Sequence, residues 1–186
     1  LDNEILNGDG AGKCLGILNS GALVTVSKET GQAAATLLFE NIVKMWARMY
    51  ARSRQNAVWF INQDIEPQLL TMTLAIGTSG QPVYLPPGGL SAAPYGTLLG
   101  RPVVPIEQCA TLGTPGDIVL ADMSQYMLID KGGVQSAASM HVRFIYDEMT
   151  FRFTQRVNGQ PMWKSPLTPF KGTLTLSPFV ALAVRA

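Results

Sequence analysis

The stretch TGQAAATLLFENIVKMWARMYARSR, residues 30–54, has the apolar spacing that commits most firmly to one kind of structure. Leu38, Ile42, Met45, Trp46 and Met49 fall at i, i+4, i+7, i+8 and i+11, while Glu40, Lys44, Arg48 and Arg52 step by four along another face. The spacing predicts one amphipathic helix from Thr30 to about Arg54. Ser27 or Thr30 is expected as its N-cap, and the Lys and Arg of its later turns suit the negative end of the helix dipole. So wide an apolar face needs a sheet to lie on. The runs Ala22 to Ser27 and Ala57 to Asn62 supply the nearest candidates, so the core unit reads strand, helix, strand.

The 186 residues are enough for one ordinary domain or two small ones with a real core. Charged residues make up 15% of the chain, against roughly 25% in a typical soluble domain. A surface this poor in charge fits either an unusually compact protein or one whose exterior is largely covered by other subunits, and the second is the favoured reading. The net charge of +1 gives no whole-molecule reason to expect nucleic-acid binding as the main task. Cys14 and Cys109 lie far apart without CxxC spacing, which argues against a disulfide scaffold or a zinc knuckle and fits a reducing compartment. No run approaches the roughly 18 apolar residues of a membrane span, and no charged-then-apolar leader opens the chain. The sequence begins at Leu1 in what reads as the last turn of a helix, and an upstream segment is expected to have been removed.

Asn7-Gly8-Asp9-Gly10-Ala11-Gly12-Lys13 stops that first helix. Glycines beside a lysine invite a phosphate-loop reading, but Asn7 and Cys14 stand where the pattern needs Gly and Ser or Thr, and the loop follows a helix instead of a strand. A structural turn is expected. Ala57 to Asn62 reads as a strand buried on both faces, and Asp64 as the cap of a short helix to about Met72 that tolerates Pro67. Gly77 to Gly96, rich in Gly and Pro, is too long for an ordinary connection and is read as a loop ordered against a neighbour. Leu98 to Ile106 is expected as an edge or interrupted strand, because Pro102 and Pro105 cannot donate to a ladder. Asp117 to Asp122 and Gln125 to Lys131 read as two strands closed by Gly132-Gly133. Val142, Phe144 and Tyr146 alternate with His141, Arg143, Ile145 and Asp147, and Met149, Phe151 and Phe153 with Thr150, Arg152 and Thr154; the phase flips at Asp147-Glu148, which predicts a bulge or turn. Asn158-Gly159 is expected as a hairpin turn, with Met162 to Lys164 and Thr173 to Val184 as the last strands.

Chemistry is sparse. His141 is the single histidine, with no nucleophile motif beside it. Asp117, Asp122, Asp130, Asp147 and Glu148 fall at strand ends and turns, without a metal-ligand spacing. Arg152 and Arg156 share the polar face of a strand whose other face carries Phe151 and Phe153, so the two kinds of side chain do not interleave as a nucleic-acid surface would require. Ion pairing with a partner, or solvation, is the expected role. The Lys44, Arg48 and Arg52 stripe reads first as a solvated helix face and second as a subunit contact.

Ordered landmarks along the chain carry a resemblance. Ile5-Leu6-Asn7-Gly8-Asp9-Gly10 with Gly16-Ile17-Leu18, Val58-Trp59-Phe60-Ile61-Asn62, Leu98-Leu99-Gly100-Arg101-Pro102-Val103-Val104, Gly116 to Asp122, Tyr126, Phe151-Arg152 with Arg156-Val157-Asn158-Gly159, and Ser177-Pro178-Phe179-Val180 together resemble the major capsid proteins of tailed bacteriophages. The resemblance implies an α+β Hong Kong 97-type fold. Residues 22–131 with the C-terminal strand 174–186 would form the axial domain, a sheet with flanking helices, and residues 1–21 and 132–173 a β-rich peripheral remnant. Family members carry an N-terminal arm, an extended hairpin loop and a spine helix before the Asn-Gly-Asp-Gly turn, so the chain looks like a C-terminal fragment. No Asn lies near Asp147-Glu148-Met149 to support the isopeptide cross-link of some members.

The expected function is therefore structural, without catalysis, cofactor or metal. A head subunit of a phage or prophage would be made in the bacterial cytoplasm, associate into pentamers and hexamers and end in a virion shell around double-stranded DNA, with no sequence-specific contact and no membrane. A scaffold, a maturation protease and a portal are further expected partners. Tyr84, Pro86, Pro87, Gly88, Gly89, Arg101, Lys44, Arg48, Arg52, Arg152 and Arg156 are the candidate interface residues. The alternatives are the shell of a cellular nanocompartment, a nucleotide-binding enzyme using Gly8 to Lys13, and a membrane or nucleic-acid module using the Lys44 to Arg54 stripe.

Overall fold

The computed structural model describes residues 1–76, 79–82, 84–85 and 96–185. Its helices are α1 (Asp2–Asn7), α2 (Phe39–Arg48) and α3 (Glu66–Thr71). Its strands are β1 (Val24–Val26), β2 (Val58–Ile61), β3 (Thr73–Ile76), β4 (Ser79–Pro82), β5 (Tyr84–Leu85), β6 (Thr97–Leu98), β7 (Arg101–Pro105), β8 (Ile118–Ala121), β9 (Tyr126–Asp130), β10 (Gln135–Arg143), β11 (Glu148–Thr154), β12 (Val157–Pro161) and β13 (Phe179–Leu182).

The amphipathic helix lies on a sheet as its spacing requires, but it is shorter than the pattern implies. Residues 30–38 do not coil because tertiary hydrogen bonds hold them otherwise. Gly31 and Ala35 take left-handed φ of 80° and 51°. Leu37 N–H donates to Gln68 Oε1, Ala35 N–H to the carbonyl of Arg185, and the buried Gln32 amide to Thr36 O and Asn41 Oδ1. The cap is neither Ser27 nor Thr30: Asn41, in the first turn, reaches back to the Leu38 N–H at 3.0 Å. At the other end Tyr50 N–H donates to Ser177 O and Ser177 N–H to Arg48 O, so the chain leaves the helix to pair beside β13.

The main sheet has seven strands in the order β1-β13-β8-β2-β7-β6-β5. The runs flanking α2 are both in it and parallel, but β13 and β8 stand between them, β13 parallel to β1 and β8 antiparallel to both β13 and β2. Every residue of β8 and β13 is buried, because the sheet is covered twice. Ile42 and Met45 of α2, with Met49 just past its end, pack with Trp59, Leu120 and Val180 on one side. Leu6, Ile17 and Cys109 pack with Val119, Phe179 and Ala181 on the other. Strand alternation sends successive residues to these two cores.

Several elements differ from their sequence reading. Asn62, whose side chain accepts from the Asp64 N–H, caps the turn that leads into α3. Part of the Gly- and Pro-rich stretch pairs as an antiparallel hairpin of β3 with β4. Leu98 to Ile106 is a tight hairpin whose second strand, β7, is interior, set between β2 and β6. Asn158-Gly159 is not a turn: both residues sit inside β12, antiparallel to β9. A Cβ on Gly159 would come within 2.7 Å of the Tyr126 ring, so this glycine serves close packing. The phase flip at Asp147-Glu148 is a turn, with Asp147 left-handed at φ 54° between β10 and β11. Met162 to Lys164 is not a strand, and only Phe179–Leu182 of the last segment is continuous β.

Candidate functional site

The Gly8 to Lys13 loop is closed on itself. Gly16 N–H donates to Gly8 O, Asp9 bridges to Leu15, and a Cβ on Gly16 would meet the Leu6 carbonyl at 2.5 Å. Lys13 Nζ lies 3.6 Å from Glu4 and 3.7 Å from Asp9. Gly8 packs against the backbone of Glu4 and Cys14 and the lysine is already paired, so the nucleotide-loop alternative loses its basis. Among the described residues no group of three His, Cys, Asp or Glu could hold a metal ion, and no helix is long and apolar enough to cross a membrane. Cys109 is buried, and desolvation, aided by the charge of Asp117, pushes its thiol up to about 12. It is not a nucleophile at neutral pH.

The candidate interface residues do not form one site. On α2, Lys44 Nζ pairs with Glu29 at 2.6 Å, and Arg48 is turned onto Thr175, its Nε 2.6 Å from the carbonyl. Arg52, past the helix end, is exposed. Tyr84 is 5% exposed and packs in the α2-side core, its ring against Gly96, so burial pushes its phenol pKa up, with a smaller push from Glu66. This places it in the interior. Pro86, Pro87, Gly88 and Gly89 lie outside the described residues. Arg101 Nε donates to Ala57 O at 2.9 Å and so works within the sheet.

Arg152 and Arg156 are brought together. With Lys131 they line a groove of about 410 Å³ at the root of the β10–β11 hairpin. The hairpin itself pairs outside the main sheet, and its residues are almost wholly exposed. Phe144, Ile145, Phe151 and Phe153 are 73%, 92%, 63% and 70% accessible. Sequence reading found the alternation of these residues but not that their apolar side stands in the open. The low overall charge was its signal, since a chain that hides so little behind charged residues leaves apolar surface for a partner.

Comparison with known proteins fits this geometry. The model of the Phage capsid family matches residues 1–172. The chain is similar to the solved capsid of an empty GTA particle computed with C5 symmetry, at 19% identity and TM-score 0.67, over 99% of this chain and 60% of that one. It is similar to the capsid of a native GTA particle at 18% identity and TM-score 0.69, again over 99% and 60%. The chain thus spans about 60% of the length of the solved chains it matches. No curated protein matches it.

Proposed function

The chain belongs to the phage capsid family, and from that premise we propose that it is a structural subunit, the major head protein of a tailed phage or prophage. It associates laterally into pentamers and hexamers of an icosahedral shell that encloses double-stranded DNA, and its place is the virion. The observation that supports this reading most directly is the β10–β11 hairpin. A monomer in water gains nothing by holding Phe144, Ile145, Phe151 and Phe153 in solvent; neighbouring subunits that cover them recover about 25 cal/mol for each Å² of apolar surface.

The division into an axial part, residues 22–131 with 174–186, and a peripheral part, residues 1–21 and 132–173, is supported by pairing. The seven-stranded sheet draws on β1, β2, β5 to β8 and β13, while β10 and β11 pair only with each other. Leu15 N–H donates to Gly159 O, which ties the first segment to β12. β9 pairs with β12, which joins the end of the axial range to the peripheral part. Arg52, with Pro86 to Gly89 of the residues outside the described ones, is our proposed interface in the axial part. A scaffold, a maturation protease and a portal complete the proposed partners.

The test is a paired substitution, Phe151→Glu with Phe153→Glu. Both side chains are exposed, so the melting temperature should hold while assembly in sedimentation velocity is lost. Assembly equal to that of the unsubstituted protein would argue against the hairpin as a subunit contact.

A further inference from the structure

The groove at the root of the β10–β11 hairpin has a second character, independent of the apolar side. The register sets Gln135 opposite Thr154 and Ala137 opposite Arg152, so these four side chains share one face, and Phe151 and Phe153 occupy the other. Lys131 and Arg156 enter from the β9–β12 pair, where Lys131 N–H donates to Arg156 O at 2.9 Å. Three cations thus border one groove of about 410 Å³. No carboxylate lines it, and among the described residues the ion pairs all involve other cations. Like charges gathered without a counter-charge repel one another, and an anion in the groove relieves that repulsion.

We propose that this groove is a binding site for phosphate groups. Arginine forks match phosphate oxygens two at a time, and the Thr154 hydroxyl and Gln135 amide add neutral donors on the same face. Gly132, Gly133 and Ala137 keep the walls low. A single carboxylate would leave two of the three charges unmatched, whereas a phosphate dianion or two neighbouring phosphodiesters neutralise most of them. The aromatic residues face away, so the site reads phosphate and not base. The phosphate source is either a free polyphosphate or the backbone of duplex DNA.

The test uses two probes on the protein: sodium pyrophosphate in calorimetry, and a labelled duplex of random sequence in fluorescence anisotropy at several salt concentrations. Full engagement of three cations predicts that log K falls with log salt at a slope of about −2.7, and that Arg152→Gln with Arg156→Gln reduces it to about −0.9. Lys13→Ala, which removes an ammonium already paired with Glu4 and Asp9, should leave the slope unchanged. Pyrophosphate binding lost in the double variant identifies a free polyphosphate as a ligand, and duplex binding lost there identifies the DNA backbone; either supports the site, provided the variant melts as the parent does. Binding of neither probe, a slope unaltered in the double variant, or competition by poly-glutamate as strong as by pyrophosphate would overturn it, the last returning both arginines to a subunit contact. Shell assembly is read separately, so failure of this site and failure of the structural role are distinguishable.

Discussion

At the scale of the residue, Arg101 shows how one side chain lets proline into a sheet. Ile106 N–H donates to Ile61 O at 2.8 Å along the parallel β2–β7 ladder. Counting back by twos, the donor owed to Ala57 O is residue 102, which is a proline and has no N–H. Arg101 Nε makes that bond instead, at 2.9 Å. Arg101→Ala should therefore cost about 1 kcal/mol in a denaturant titration, beyond any effect on assembly. The buried pair of Arg185 with Asp117 matters more. Both side chains are fully buried, Arg185 Nε also donates to Thr36 O, and Asp117 also accepts from the N–H groups of Gly113 and Ile118. Arg185→Met leaves the Asp117 carboxylate buried and unpaired, which should destabilise by about 3–5 kcal/mol in the same titration. No local pattern announces this pair, since its partners are 68 positions apart; a sequence reading sees Asp117 only as a strand-end acid.

Titration belongs to this scale too. Desolvation raises the Cys109 thiol from 9.0 and the Tyr126 phenol from 10.0, each to about 12, with smaller contributions from Asp117 and Cys14 respectively. A group that holds its proton more tightly when folded contributes stability that is full below its unfolded pKa and lost as pH rises through its folded one. Melting temperatures should therefore be insensitive to these groups below pH 9 and fall between pH 9 and 12. Tyr126→Phe with Cys109→Ala should flatten that fall.

At the scale of the element, local pattern predicted kind better than extent. The spacing of Ile42, Met45 and Met49 is a helix with one buried face, and that much followed from periodicity. Its start did not, because Gln68 and Arg185 hold Leu37 and Ala35 through long-range hydrogen bonds that no window of sequence contains. Asn158-Gly159 misled for a related reason. The pair is common in turns because both residues tolerate left-handed backbone, but Gly159 is here for lack of a side chain, with the Tyr126 ring over it. Gly159→Ala should cost about 1–3 kcal/mol by overpacking, measured as a lower denaturation midpoint. Among the site residues, alternation set Arg152 and Arg156 on one strand face, but β11 ends at Thr154, and Arg156 reaches the groove beside Lys131 through the pairing of β9 with β12. The interior position of Tyr84 could not be read from a segment whose Gly and Pro content signals loop.

At the scale of the whole molecule, a doubly covered sheet carries a hairpin that nothing within the described chain covers. The sheet accounts for stability: two cores close on β8 and β13 from opposite sides. The hairpin is the surface we propose for association, and the low charge of the chain fits a subunit that works among copies of itself. The most direct measurement is negative-stain electron microscopy, paired with sedimentation velocity, of the protein expressed from its complete reading frame. Closed shells, or rings of five and six subunits, are the predicted result. A monodisperse monomer at every concentration and salt tested would contradict the structural role.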